Sequence, residues 1–112
     1  GLGVIAKRPV ANAAWRYGAT PPEEKYHTVY WERLRKLDYE FTRRAMPEAI
    51  SVALRFTLSQ PGVSTAIVGT KQPGRWSENA RLLEAGPLPA EEIAALRRRW
   101  AEVAGPDWVG QT

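Results

Sequence analysis

An α/β architecture with parallel strands is the expectation for this chain, and three observations carry it. Two short apolar runs rich in β-branched residues, Leu2–Ala6 and Thr65–Val68, read as strands. A helical segment of crossover length lies between them, which makes the strands parallel neighbours. The first run is nearly continuous rather than alternating, the pattern of a strand covered on both faces, and the second also reads as buried.

The first strand ends at Pro9, which has no ladder donor and restricts the backbone of Arg8 before it. Residues 10–22 read as loop, since Asn12, Gly18, Thr20, Pro21 and Pro22 interrupt regular structure. Thr20 stands where it can cap a helix whose first turn holds the prolines and Glu23-Glu24. That helix, about Glu23 to Phe41, carries Tyr26, Tyr30, Leu34 and Leu37 on one stripe. Its aromatics are expected to pack, and His27, off the stripe, to be exposed. Met46-Pro47-Glu48 opens a second helix with Pro47 in its first turn and Ile50, Leu54 and Leu58 on one face.

Pro61-Gly62 stops that helix and turns the chain into the second strand. A third helix runs from about Arg75 to Glu84 and ends at Gly86-Pro87. The last begins near Pro89, with Glu91 and Glu92 at its positive end and Ile93, Leu96, Trp100 and Val103 on one face. Its Arg97-Arg98-Arg99 run complements the dipole near the C-terminal end, and Asp107–Thr112 is a short tail carrying Trp108.

Bulk properties narrow the function classes. A length of 112 residues allows one domain, 1–112, with one core. No apolar run reaches the ~18 residues of a membrane helix, and no signal-peptide pattern opens the chain, so no membrane partner is expected. The chain has no cysteine, which rules out disulfide and thiol chemistry and fits a cytoplasmic protein. His27 is the single histidine, so no histidine-rich metal site forms and no metal is expected. The net charge of +4 gathers in Arg33–Lys36, Arg43-Arg44 and Arg97–Arg99 without zinc-finger spacing or an aromatic RNA-binding signature. Those runs read as solvated helix faces, and nucleic acid is not an expected partner.

The stretch Val63–Leu83 carries the chemistry. Its strand exits at Gly69-Thr70, crosses Lys71-Gln72-Pro73-Gly74 and enters a helix at Arg75, a geometry whose free N–H groups favour an anion. Arg75, Glu78 and Asn79 stand at i, i+3 and i+4 and share a face. A charged fork beside an acceptor and an amide suits a phosphate with a heterocycle next to it. The same residues also read as an exposed Arg75–Glu78 ion pair beside an ordinary amide, with Trp76 in the core.

Three stretches resemble the aldo/keto reductase family. They are Gly3-Val4-Ile5-Ala6-Lys7-Arg8-Pro9 with Ala11-Asn12; Ala53-Leu54-Arg55-Phe56 running to Val68-Gly69-Thr70; and Arg75-Trp76-Ser77-Glu78-Asn79. The closing Trp108-Val109-Gly110-Gln111 is similar to a tail of bacterial members. The resemblance implies the C-terminal fragment of a (β/α)8 TIM barrel, with two parallel strands and three to four helices, from strand seven onward. It implies an NADP-dependent oxidoreductase that reduces aldehydes or ketones to alcohols, with NADP(H) as cofactor and a small carbonyl compound as substrate.

By the same resemblance Arg75 contacts the adenosine 2′-phosphate, Glu78 and Asn79 contact adenine, and Thr70, after Gly69, lies near the phosphate. Lys71 adds charge there. Lys7, Arg8 and Asn12 occupy the strand-seven exit, where the family usually has a nicotinamide-stacking aromatic and small polar residues, and Arg8 is suited to a phosphate. The family's catalytic Asp, Tyr, Lys and His belong to early strands and loops, so no catalytic residue is assigned here, and neither Lys7 nor His27 inherits that role. The missing N-terminal barrel half is expected to be needed for a complete fold, and the chain alone to be inactive. An autonomous basic nucleotide- or nucleic-acid-binding module is the alternative.

Overall fold

The computed structural model describes residues 1–111. Strands β1 (Val4–Lys7) and β2 (Val63–Ile67) form a two-stranded parallel sheet. The α-helices are α1 (Lys25–Leu37), α2 (Met46–Leu58), α3 (Arg75–Leu82) and α4 (Ala90–Val103). Short 3-10 segments occupy Ala11–Tyr17, which is kinked at Asn12 and Ala13, Glu40–Arg43 and Leu83–Ala85. The expected strand–helix–strand crossover is therefore present, and its strands run parallel.

Register pairs Val4 with Val63 and then Ile5 with Thr65, so Ser64 is skipped and the ladder is irregular there. Gly3 lies beside that irregularity, and a Cβ added to it would meet Ser64 Oγ at 2.9 Å. The Ser64 side chain occupies the space that a side chain at residue 3 would need.

The core lies beside the sheet. Phe41, Ala49, Val52 and Leu88 are buried together, with Trp15, Tyr39, Ala53, Phe56, Ile93 and Leu96 packed around them. Phe41 meets Trp15 edge-on at 6.0 Å and stacks on Tyr39 at 5.6 Å, both favourable aromatic geometries. Helix α2 buries Ala49, Val52 and Leu54, a wider arc than the Ile50–Leu54–Leu58 stripe. The reason is its central position: β2, α3 and the Glu40–Arg43 turn all pack against it.

Several local expectations are corrected. The helix expected to reach Phe41 ends at Leu37, where Asp38 turns left-handed at φ 48°. Arg99 of α4 explains the stop, because its Nε donates to the Leu37 carbonyl at 2.7 Å and its Nη2 to the Lys36 carbonyl at 3.3 Å. The turn after Asp38 sends Tyr39 and Phe41 into the core. Thr20 does not cap α1, which starts after Glu24 without a side-chain cap. Part of the expected 10–22 loop is the Ala11–Tyr17 segment, entered through positive φ angles at Arg8, Ala11, Asn12 and Ala13 and anchored by fully buried Ala14.

The strands are not covered on both faces within this chain. Val4, Ile5 and Ile67 are 49%, 59% and 57% exposed, because α2 packs against β2 and nothing described covers the remaining surface. Trp76, expected in the core, is 78% exposed on the first turn of α3. No helix among the described residues is long and apolar enough to cross a membrane.

Candidate functional site

Both strands run in the same direction, so their carboxyl ends open together onto one side of the sheet. Open α/β sheets bind ligands at that edge. A cleft of about 980 Å3 lies there, walled by the β1 exit (Lys7–Val10, Asn12 and Ala13) and the β2 exit (Ile67–Gln72). Arg75 and Asn79 of α3 form a further part of the wall, and Met46 and Ile50 of α2 add apolar surface.

Among its lining residues Lys7, Arg8, Arg16, Lys71 and Arg75 carry positive charge, against the single carboxylate of Glu24. Such an imbalance in a concave site concentrates field and favours an anionic ligand.

Of the residues singled out by sequence, the structure brings Arg8, Asn12, Gly69, Thr70, Lys71, Arg75 and Asn79 to the cleft wall. Glu78 stands behind it, exposed, and reaches the cleft only through its ion pair with Arg75. The Thr70 hydroxyl accepts the Gln72 N–H at 3.0 Å, closing a local turn that directs the loop toward α3. Gly74, left-handed at φ 84°, then starts α3 with no side-chain cap, so no side chain covers the N–H groups of its first turn. Arg75 donates to the Gln72 side-chain oxygen through Nη2 and lies 3.2 Å from Glu78 Oε2 through Nη1. The expected ion pair is thus formed, on a residue that also lines the cleft.

The opposite wall was less legible. Asn12 takes a left-handed φ of 56°, a conformation asparagine tolerates better than most residues. Its Nδ2 is buried without a hydrogen-bond partner, and its backbone carbonyl accepts from Arg16 Nη1 at 3.2 Å. Arg16 Nη2 donates to the Tyr17 hydroxyl at 2.9 Å, and that hydroxyl is 3.0 Å from His27 Nδ1. Glu24 stands 3.7 Å from His27 Nε2.

His27 is therefore half-buried at the cleft wall rather than exposed, because the folded-back Ala11–Tyr17 segment lies against it. Sequence reasoning missed Arg16, Glu24 and Gln72. No local signal pointed to Arg16, because residues 10–22 read as loop and its contact is with the Asn12 backbone carbonyl. Arg8 lies at the cleft with its guanidinium 4.9 Å from the centre of the Tyr26 ring, and its Nη1 donates to the Gln111 backbone carbonyl. Tyr26, expected on the packed stripe of α1, is 42% exposed and serves instead as this platform.

No group of three or more His, Cys, Asp or Glu side chains among the described residues is disposed to hold a metal ion. Comparison with curated proteins and with solved structures gives no significant match. The profile of the aldo/keto reductase family, in contrast, matches residues 1–101. That span takes in both strands, the cleft and nearly all of α4, and the chain belongs to the aldo/keto reductase family.

Proposed function

We propose that the chain is the C-terminal part of an NADP-dependent aldo/keto reductase barrel, and that its cleft holds the cofactor. The observation that carries this reading is the gathering of Arg8, Asn12, Gly69, Thr70, Lys71, Arg75 and Asn79 around one cationic cleft at the strand ends. The donor set fits the group. Arg75 and Lys71 suit the 2′-phosphate, Asn79 and Glu78 suit adenine, and Arg8 suits a phosphate further along the cleft. The buried Asn12 Nδ2, which lacks an acceptor, is the kind of orphan that a polar ligand satisfies.

When bound, NADPH supplies the hydride that reduces an aldehyde or ketone to an alcohol. The residues of this chain contribute binding and orientation: a charge-assisted grip at one end and neutralisation of phosphate charge along the wall. Proton transfer to the carbonyl oxygen is assigned to residues outside this chain, on the early barrel strands. The 112 residues alone are accordingly inactive.

The basic runs do not favour the nucleic-acid alternative, because most of their members bind within the fold. Arg43 pairs with Asp38, Arg44 with Glu40, Arg97 with Gln60, and Arg99 with the end of α1.

Calorimetric titration with NADPH and NADH tests the reading. NADPH is expected to bind at least ~10-fold more tightly, the effect of charge-assisted bonds to one additional phosphate. Equal affinity for the two would sink it.

A further inference from the structure

The C-terminal tail ends against a residue of the cleft wall. Past α4 the chain turns at Gly105, where a Cβ would stand 2.6 Å from Asp107 Oδ1, and Trp108 N–H returns to the Gly105 carbonyl at 3.1 Å. Trp108 packs edge-on against Trp100 of α4, with ring centres 5.3 Å apart. Arg33 of α1 lies 5.5 Å from the Trp108 ring centre and donates through Nη1 to the Val109 carbonyl at 2.7 Å. The tail is thus fastened to two helices before its Gln111 carbonyl accepts from Arg8. On its other side Arg8 is held by the face of Tyr26, and its own backbone is left-handed at φ 52°.

An arginine side chain is long and freely rotating, so recruiting one to a ligand costs conformational entropy. Here the guanidinium is already fixed between a carbonyl and an aromatic ring, on a residue that lines the cleft. One of its donors is used by Gln111, and a guanidinium has others to offer an anion. Binding to a pre-organised group is tighter than binding to a mobile one.

We propose that residues 105–111 form a strap that positions Arg8 as an anion ligand of the cleft. Arg33, Trp108 and Tyr26 are its positioning residues, and the ligand chemistry is a phosphate or pyrophosphate group. The proposal rests on the reading that the cleft takes an anion, but not on the assignment of Arg75 to a 2′-phosphate. Because linkage is reciprocal, strap docking strengthens anion binding and anion binding strengthens strap docking.

The test uses the full chain with two probes, inorganic pyrophosphate and 2′-AMP, titrated into wild type, W108L, R8M and the W108L/R8M double variant. W108L is expected to weaken pyrophosphate about 3- to 10-fold, the range of ordering one mobile side chain on binding, and to leave 2′-AMP unchanged. In the R8M background the W108L effect is expected to vanish, and in wild type pyrophosphate is expected to slow amide exchange in residues 108–111. R33Q keeps Trp108 and is expected to repeat the W108L pattern, which separates strap release from misfolding.

A W108L effect that persists without Arg8 would mean a purely structural tail and overturn the proposal. So would the absence of pyrophosphate binding, or tail exchange that is unchanged or faster when pyrophosphate binds. If 2′-AMP binds no better than 5′-AMP while the strap coupling holds, the NADP reading fails and the strap stands.

Discussion

Arg75 Nη1 lies 3.2 Å from Glu78 Oε2, one turn along α3, in a pair whose side chains are 36% and 55% exposed. Solvent screens such a pair, and its contribution to stability is about 0.2–0.5 kcal/mol. A weak intrahelical partner is easily exchanged for a phosphate, which offers several acceptors to the same fork. R75M is therefore expected to remove most of the discrimination between NADPH and NADH, a loss of about 1.5–3 kcal/mol of binding for the phosphorylated cofactor alone, with Lys71 left as the remaining cation there. The unfolding free energy is expected to stay within about 0.5 kcal/mol of wild type. Parallel titrations and denaturation curves check both halves. Equal weakening of both cofactors would assign Arg75 to general charge rather than to the 2′-phosphate.

Arg99 caps a helix other than its own. Its Nε and Nη2 donate to the last carbonyls of α1, where the helix dipole also favours a cation. R99M keeps most of the aliphatic stem and removes the donors, and it is expected to destabilise the fold by about 1–2 kcal/mol. Denaturant unfolding measures the loss, and amide exchange in the last turn of α1 is expected to rise with it. A variant as stable as wild type would show that the contact is incidental.

That contact also marks the limit of what the sequence could tell. The order strand, helix, strand was readable because Pro61-Gly62 and the two apolar runs are local signals. Gly69 to Asn79 was readable because a strand exit, a short loop and a helix start are contiguous in sequence. The early end of α1 was not, since the group that stops it comes from 62 residues away. The same holds for His27, whose partner Tyr17 lies on a folded-back segment entered through left-handed alanines that no propensity favours. Trp76 was misread because an aromatic at a helix start says nothing about which face packs. Exposure of the strands was invisible for another reason: their composition reads as burial on both faces, while among the described residues only α2 packs against β2 and leaves Ile5 and Ile67 exposed.

Tyr39 ties the core to α4, its hydroxyl donating to the Leu96 carbonyl at 3.1 Å while its ring stacks on Phe41. Burial raises its pKa above the ordinary tyrosine value of 10.0, and the nearby Arg99 charge opposes that shift. With the folded value raised, the contribution to stability is complete below the ordinary value and is lost as pH climbs through the folded one. Unfolding free energy is therefore expected to fall above about pH 10, and part of that slope to disappear in Y39F. The variant also loses one hydrogen bond, at a cost of about 1 kcal/mol at neutral pH. Chemical denaturation at a series of alkaline pH values checks the slope. An unchanged pH dependence in Y39F would assign the alkaline loss to another group.

Ile5 and Ile67 are 59% and 57% exposed on adjacent parallel strands, with Val4 at 49% and Leu2 at 99% beside them. Apolar surface on strands with open edges is a template for association, and charged residues on such strands oppose it. The 112-residue chain is expected to self-associate with rising concentration, and the double variant I5K/I67K to remain monomeric. Both positions are solvent-accessible, so the substitutions are expected to cost the fold no more than about 0.5 kcal/mol each. Sedimentation velocity across a concentration series distinguishes the two chains. A wild-type chain that stays monomeric at every concentration would mean that this surface does not need a cover, and with it would fall the expectation that further barrel strands pack here. Association that persists in I5K/I67K would move the contact to another surface, with exposed Trp76 on α3 the next to substitute.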